Sequence, residues 1–144
     1  MPVFVVGLAE DLGYHASPRR RLLAAVISGA VFIALMGQWL PRTGILGLDS
    51  PLQWSPFAIT FSLFLTVGIS HAFNLIDGLN GLVGSTALAA ALALATIAHQ
   101  AELTDHRDIL LIFAAAILGF LVFNFPYGKI FLGDGGAYAI GHLL

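Results

Sequence analysis

Charges interrupt this chain so seldom that the uncharged runs between them set its plan. Residues 22–40 hold no charge, residues 57–73 are a second such run that continues through Leu75-Ile76, residues 82–98 are a third, and residues 109–125 are a fourth, stopped at Pro126. About 20 apolar residues in a helix cross a hydrocarbon core of about 30 Å. The pattern therefore predicts an all-α, polytopic membrane fold forming a single transmembrane domain over residues 1–144. Its four complete spans lie at about 22–40, 57–76, 82–98 and 109–126. Residues 2–8 and 137–144 are apolar but too short to cross, so a partial helix is expected at each end. No repeat or low-complexity tract interrupts the plan.

Composition agrees. The 144 residues are 58% hydrophobic and 10% charged, against about 45–50% and about 25% in average soluble domains. A net charge of −2 carries no nucleic-acid footprint. The absence of cysteine excludes disulfides and thiolate metal sites. No secretory signal opens the chain, because no basic segment precedes a long apolar stretch.

The polar residues left between the runs are not scattered. Four spans alternate the sides of five loops, which puts residues 9–21, 74–81 and 127–136 on one face and residues 41–56 and 99–108 on the other. The first face holds Arg19, Arg20, Arg21 and Lys129, against Arg42 and Arg107 opposite. The positive-inside rule makes that first face cytoplasmic. Glu10, Asp11, Asp77 and Asp134 gather there. The acids of the other face, Asp49, Glu102, Asp105 and Asp108, lack glycine turns and read as solvated.

Asp77 sits among two amides and two turn dipeptides, Asp77-Gly78 and Asn80-Gly81, between two membrane-length runs. A carboxylate in the last turn of a helix faces the negative end of its dipole, and no Lys or Arg is near in sequence. A distant basic residue or a metal ion must answer it. Carboxylates converging at one surface repel unless a cation is shared, and oxygen ligands with open positions suit Mg2+ holding a substrate phosphate. Each residue also has a plainer reading. The arginines serve topology and snorkelling, Asp134 is placed to cap a helix starting at Gly135 or Gly136, Asp77 is a turn former, and Glu10-Asp11 is a solvated pair. His71, in an apolar run, reads as a hydrogen-bonded structural histidine.

Three segments together resemble a known family. HAFNLIDGLNGL at residues 71–82, FNFPYGKIFLGDGGAY at residues 123–138, and Gly7-Leu8-Ala9-Glu10-Asp11 followed by Ser17-Pro18 and basic residues are similar to the motifs of the polyprenyl-phosphate N-acetylhexosamine-1-phosphate transferases. That resemblance implies Mg2+-dependent transfer of a sugar 1-phosphate, GlcNAc-1-phosphate or a related HexNAc-1-phosphate, from a UDP-HexNAc donor to undecaprenyl phosphate. UMP is released, and envelope polysaccharide synthesis begins, at the cytoplasmic face of the bacterial inner membrane. It implies Asp134 as the metal ligand, Glu10, Asp11 and Asp77 as the catalytic acids, and Asn74, Asn80, Asn124, Lys129 and Phe131 as substrate-binding residues, with Asn124 and Phe131 on the uridine. It allows a homodimer and excludes nucleic acid as a partner. Glu10 stands where the family commonly has Asp, Asn80 where many members have Asp, and His71 where Asn is common. The family's early helices and its late histidine-containing loop have no counterpart, so these 144 residues by themselves are expected to be inactive. The rival reading is a catalytically inactive homologue or a transporter fragment.

Overall fold

A computed structural model describes residues 1–144 and is helical, without strands. The helices are α1 (Pro2–Asp11), α2 (Pro18–Met36), a single turn α3 (Asp49–Leu52), α4 (Ser55–Ile76), α5 (Leu82–Gln100), α6 (Thr104–Asn124) and α7 (Gly133–Leu143). Proline occupies the first turn of α1, α2 and α4, where its missing N–H costs nothing and its fixed φ suits the helix. Phe125, extended as the residue before a proline must be, ends α6.

Three helices, α4, α5 and α6, are long and apolar enough to cross a membrane. α2 falls short of the expected fourth span for two reasons. Its first turn holds the three arginines, and it closes on Gly37, whose φ is 63°, so the run 22–40 is helical only as far as residue 36. The leftover residues fold back along α4, where the Leu40 N–H donates to Ser62 Oγ at 2.8 Å. A further difference is that Asp105, Arg107 and Asp108 lie in the first turns of α6, not in a loop.

The outer surface is apolar: only 27 of 144 residues are buried, while Phe64, Ile112, Val122 and many other large hydrophobics point outward. Water would not tolerate so continuous an exposed apolar surface, whereas lipid does. Inside, two small cores share α4 and α7. One joins Val3, Ala24, Ala25, Val67 and Tyr138; the other joins Phe73, Val83, Ala87, Ile117 and Ile140. Small residues let these helices meet closely, as membrane helices must when lipid is as apolar as leucine. A Cβ on Gly7 of α1 would lie 2.7 Å from Gly135 Cα of α7, and one on Gly141 of α7 would lie 2.8 Å from Ser70 Cα of α4. α7 is thus wedged between α1 and α4, and its first turn is set against the ends of both.

Candidate functional site

The loops grouped by span parity do meet. Asp11, the last residue of α1, reaches the first turn of α7: the Asp134 N–H donates to its Oδ1 at 2.8 Å and the Gly135 N–H to its Oδ2 at 3.0 Å. From the last turn of α4, Asn74 Nδ2 donates to Asp134 Oδ1 at 2.8 Å. Asp134 is therefore held by its backbone from one side and by its side chain from another.

Asp77 completes the acidic centre one step beyond α4. Partial burial raises its pKa above the ordinary carboxylate value of 3.8, and the charges of Asp134 and then Asp11 push it the same way. No hydrogen bond offsets these effects. A proton or a cation is what such a group attracts. A distant basic residue does come in, but to Glu10 and not to Asp77: Arg21, half-buried in the first turn of α2, has its Nε 3.7 Å from Glu10 Oε2. That oxygen is buried and has no hydrogen-bond partner. Beside it lies a pocket of about 160 Å³ lined by Pro18, Arg21, His71, Asn74, Leu75 and Tyr138. His71 keeps the structural role expected of it: Nδ1 is 3.0 Å from the Val67 carbonyl, and the ring meets that of buried Tyr138 edge-on at 5.3 Å.

The amides of the second group tie loops together. Asn124 is buried; its Oδ1 accepts the Gly81 N–H at 2.6 Å and its Nδ2 donates to the Ile130 carbonyl at 2.8 Å. Asn80 Nδ2 donates to the Pro126 carbonyl at 3.2 Å. The turn after α4 is thereby joined to the segment between α6 and α7. That segment presents Lys129 and Phe131 to the outside, Phe131 with 73% of its surface exposed. Lys129 makes no side-chain hydrogen bond and the Phe131 ring is open to the outside, so both are free to meet a ligand. The structure thus brings Glu10, Asp11, Asn74, Asp77 and Asp134 around the start of α7, uses Asn80 and Asn124 as braces, and leaves Lys129 and Phe131 on the adjoining loop.

The sequence pattern treats the three arginines alike and gives Tyr138, Gly7 and Gly133 no role of their own. Only Arg21 turns inward, Gly133 and Gly135 make the space in which Asp11 fits, and Gly7 lets α1 approach the start of α7. The run Gly133-Asp134-Gly135-Gly136 was the available signal, since so many glycines in the first turn of a helix imply a close neighbour. Among the remaining acids, Asp49 proves to be organised rather than merely solvated. It accepts the Thr43 N–H, the Thr43 hydroxyl and the Gly44 N–H, and these bonds, the Thr43 N–H first, lower its pKa.

No three His, Cys, Asp or Glu side chains stand at metal-holding spacing. Mg2+ does not require three: it binds through one or two carboxylates, keeping waters and taking substrate phosphates for the rest. Asp77, with no oxygen engaged, and the second oxygen of Asp134 fit that requirement.

The sequence pattern of glycosyl transferase family 4 matches residues 1–144. Among curated proteins, the chain is 40% identical to the phospho-N-acetylmuramoyl-pentapeptide-transferase of Pelotomaculum thermopropionicum, over 94% of this chain and 44% of that protein. It is 36% identical to the enzyme of that name from Bacillus subtilis, over 94% of this chain and 42% of that protein. The one from Streptococcus sanguinis is 31% identical, over 97% and 45%. The chain thus spans less than half the length of these relatives.

Proposed function

Since the chain belongs to glycosyl transferase family 4, we propose that the full-length protein transfers an N-acetylhexosamine 1-phosphate from a UDP-sugar to a polyprenyl phosphate at the cytoplasmic face of a bacterial inner membrane. This initiates the synthesis of an envelope polysaccharide. The observation that carries the reading is the acidic centre at the start of α7, where Asp134 is fixed by Asn74 and faces Asp77, whose charge is unanswered.

In this reading an oxygen of the lipid phosphate forms a new bond to the sugar-bearing phosphorus as the bond to the UMP phosphate breaks. Asp134 and Asp77 would hold Mg2+, which neutralises charge on the donor's phosphates when bound. Phosphoryl transfer needs little covalent chemistry from the protein, so positioning and charge supply most of the catalysis. Arg21 offers a guanidinium to phosphate oxygens, and Glu10, paired only loosely with it, keeps an oxygen available beside the lipid phosphate. Lys129 serves the nucleotide phosphates, and Phe131 stacks on the uridine. Asn124 and Asn80 present that loop while their amides brace it. The relatives' name makes phospho-N-acetylmuramoyl-pentapeptide, from its UDP-linked donor, one candidate for the group transferred, and GlcNAc-1-phosphate, from UDP-GlcNAc, is the other.

The test is UMP release by the full-length protein in membranes containing undecaprenyl phosphate. UDP-GlcNAc and UDP-N-acetylmuramoyl-pentapeptide are supplied separately, with and without Mg2+. Metal-dependent release from one donor is expected, and Asp134→Asn should lower it on the order of a thousandfold. No release from either donor by a folded protein would leave an inactive homologue as the better reading.

A further inference from the structure

The Asp11 carboxylate has both oxygens committed. Oδ1 accepts the Asp134 N–H and Oδ2 the Gly135 N–H. These are two of the N–H groups that open α7 and have no partner within their own helix, and no side chain of α7 caps them. A negative charge at that end is favoured by the helix dipole, so the interaction is strong in both respects. The surroundings are shaped to admit this one group. A Cβ on Gly133 would lie 2.6 Å from Asp11 Oδ2, one on Gly135 would lie 3.2 Å from the same atom, and one on Gly7 would meet the backbone of Asp134 and Gly135 within 2.8 Å.

We infer that Asp11 is a positioning residue: it fixes the first turn of α7, and so the place from which the Asp134 carboxylate acts, instead of taking a proton or a metal ion itself. The inference rests on the function proposed above and assigns Asp11 a part different from that of Glu10, its neighbour in sequence. Glu10 has an oxygen without a hydrogen-bond partner; Asp11 does not.

Two variants of the full-length protein separate the roles. Asp11→Asn keeps the length and one good acceptor oxygen but cannot act as a base. Asp11→Glu keeps the acid but adds a methylene, which shifts both oxygens away from the Asp134 and Gly135 N–H groups. For a positioning residue, Asp11→Asn should retain transfer within about tenfold of the wild type, with the pH profile of kcat unchanged and the KM for Mg2+ raised. Asp11→Glu should lose on the order of a hundredfold, as misplaced catalytic groups do. Amide hydrogen exchange, read by mass spectrometry on peptides covering residues 131–138, should quicken in both variants while α5 and α6 stay protected. An Asp11→Glu protein more active than Asp11→Asn would overturn the inference, as would unchanged exchange in both. A wild-type protein that transfers no sugar phosphate would remove the function proposed above, and the exchange measurement would still decide whether Asp11 holds α7.

Discussion

At position 133 the backbone φ is +66°, and a methyl group there would meet the Asp11 carboxylate. Left-handed backbone and lost space act together, so Gly133→Ala should destabilise the protein by about 1–3 kcal/mol. The loss should appear as a lower thermal midpoint in detergent and as faster amide exchange in α7. Asp77 gives a second expectation. Its pKa is raised in the fold by burial and by the charges of Asp134 and Asp11, so the folded state holds its proton more tightly than the unfolded chain. Without divalent metal, stability should therefore fall as pH rises from about 3.8 through the raised value and level off above it. Asp77→Asn should remove that fall in a pH series of thermal unfolding with chelator present. At this scale the sequence was informative about which residues are chemical: the Asp-Gly and Asn-Gly turns marked the acidic centre. It was silent about partners. The bonds that fix Asp134 come from residues 60 and 123 positions away, and no local pattern records such pairings.

Among the elements, α5 and α6 form a hairpin built on small residues. Ala87, Ala91, Ala95 and Ala98 are buried at helical spacing along α5, and a Cβ on Gly84 would lie 2.6 Å from Leu121 of α6. Such a seam has no room for larger side chains, so Ala91→Leu should cost about 1–3 kcal/mol. Leu92→Ala, one position along and outward-facing, should leave unfolding in detergent nearly unchanged. At α4 and α5 the uninterrupted apolar run and the helix coincide to within about two residues, whereas α6 begins at Thr104, ahead of its run, through a charged first turn. Hydropathy overextended α2, because a window of hydropathy does not register a left-handed glycine. The run looked continuous through Gly37, Gln38, Trp39 and Leu40, while the helix had already stopped. α3 was invisible for a related reason: a single turn of four residues has too little periodicity to detect.

For the molecule as a whole, the expected count of spans puts on one face three stretches far apart in the chain, and hydrogen bonds join those stretches in the structure. The count also makes a topological prediction. The chain has no cysteine, so single substitutions report sidedness without background. Leu79→Cys and Tyr127→Cys, both well exposed, should react with a membrane-impermeant thiol reagent only in inside-out vesicles. Leu46→Cys should react only from the outside of intact cells, and labelling of all three from one side would break the parity. The clasp between Asp11 and α7 has a consequence in time. The two partners are separated by 123 positions, and at about 5–20 residues per second of synthesis roughly 6–25 seconds pass between them. Through that interval α1 waits with its clasp open. A chain released before Asp134 would hold Asp11 and Asp77 without their partner, so the site can mature only after α7 has been made.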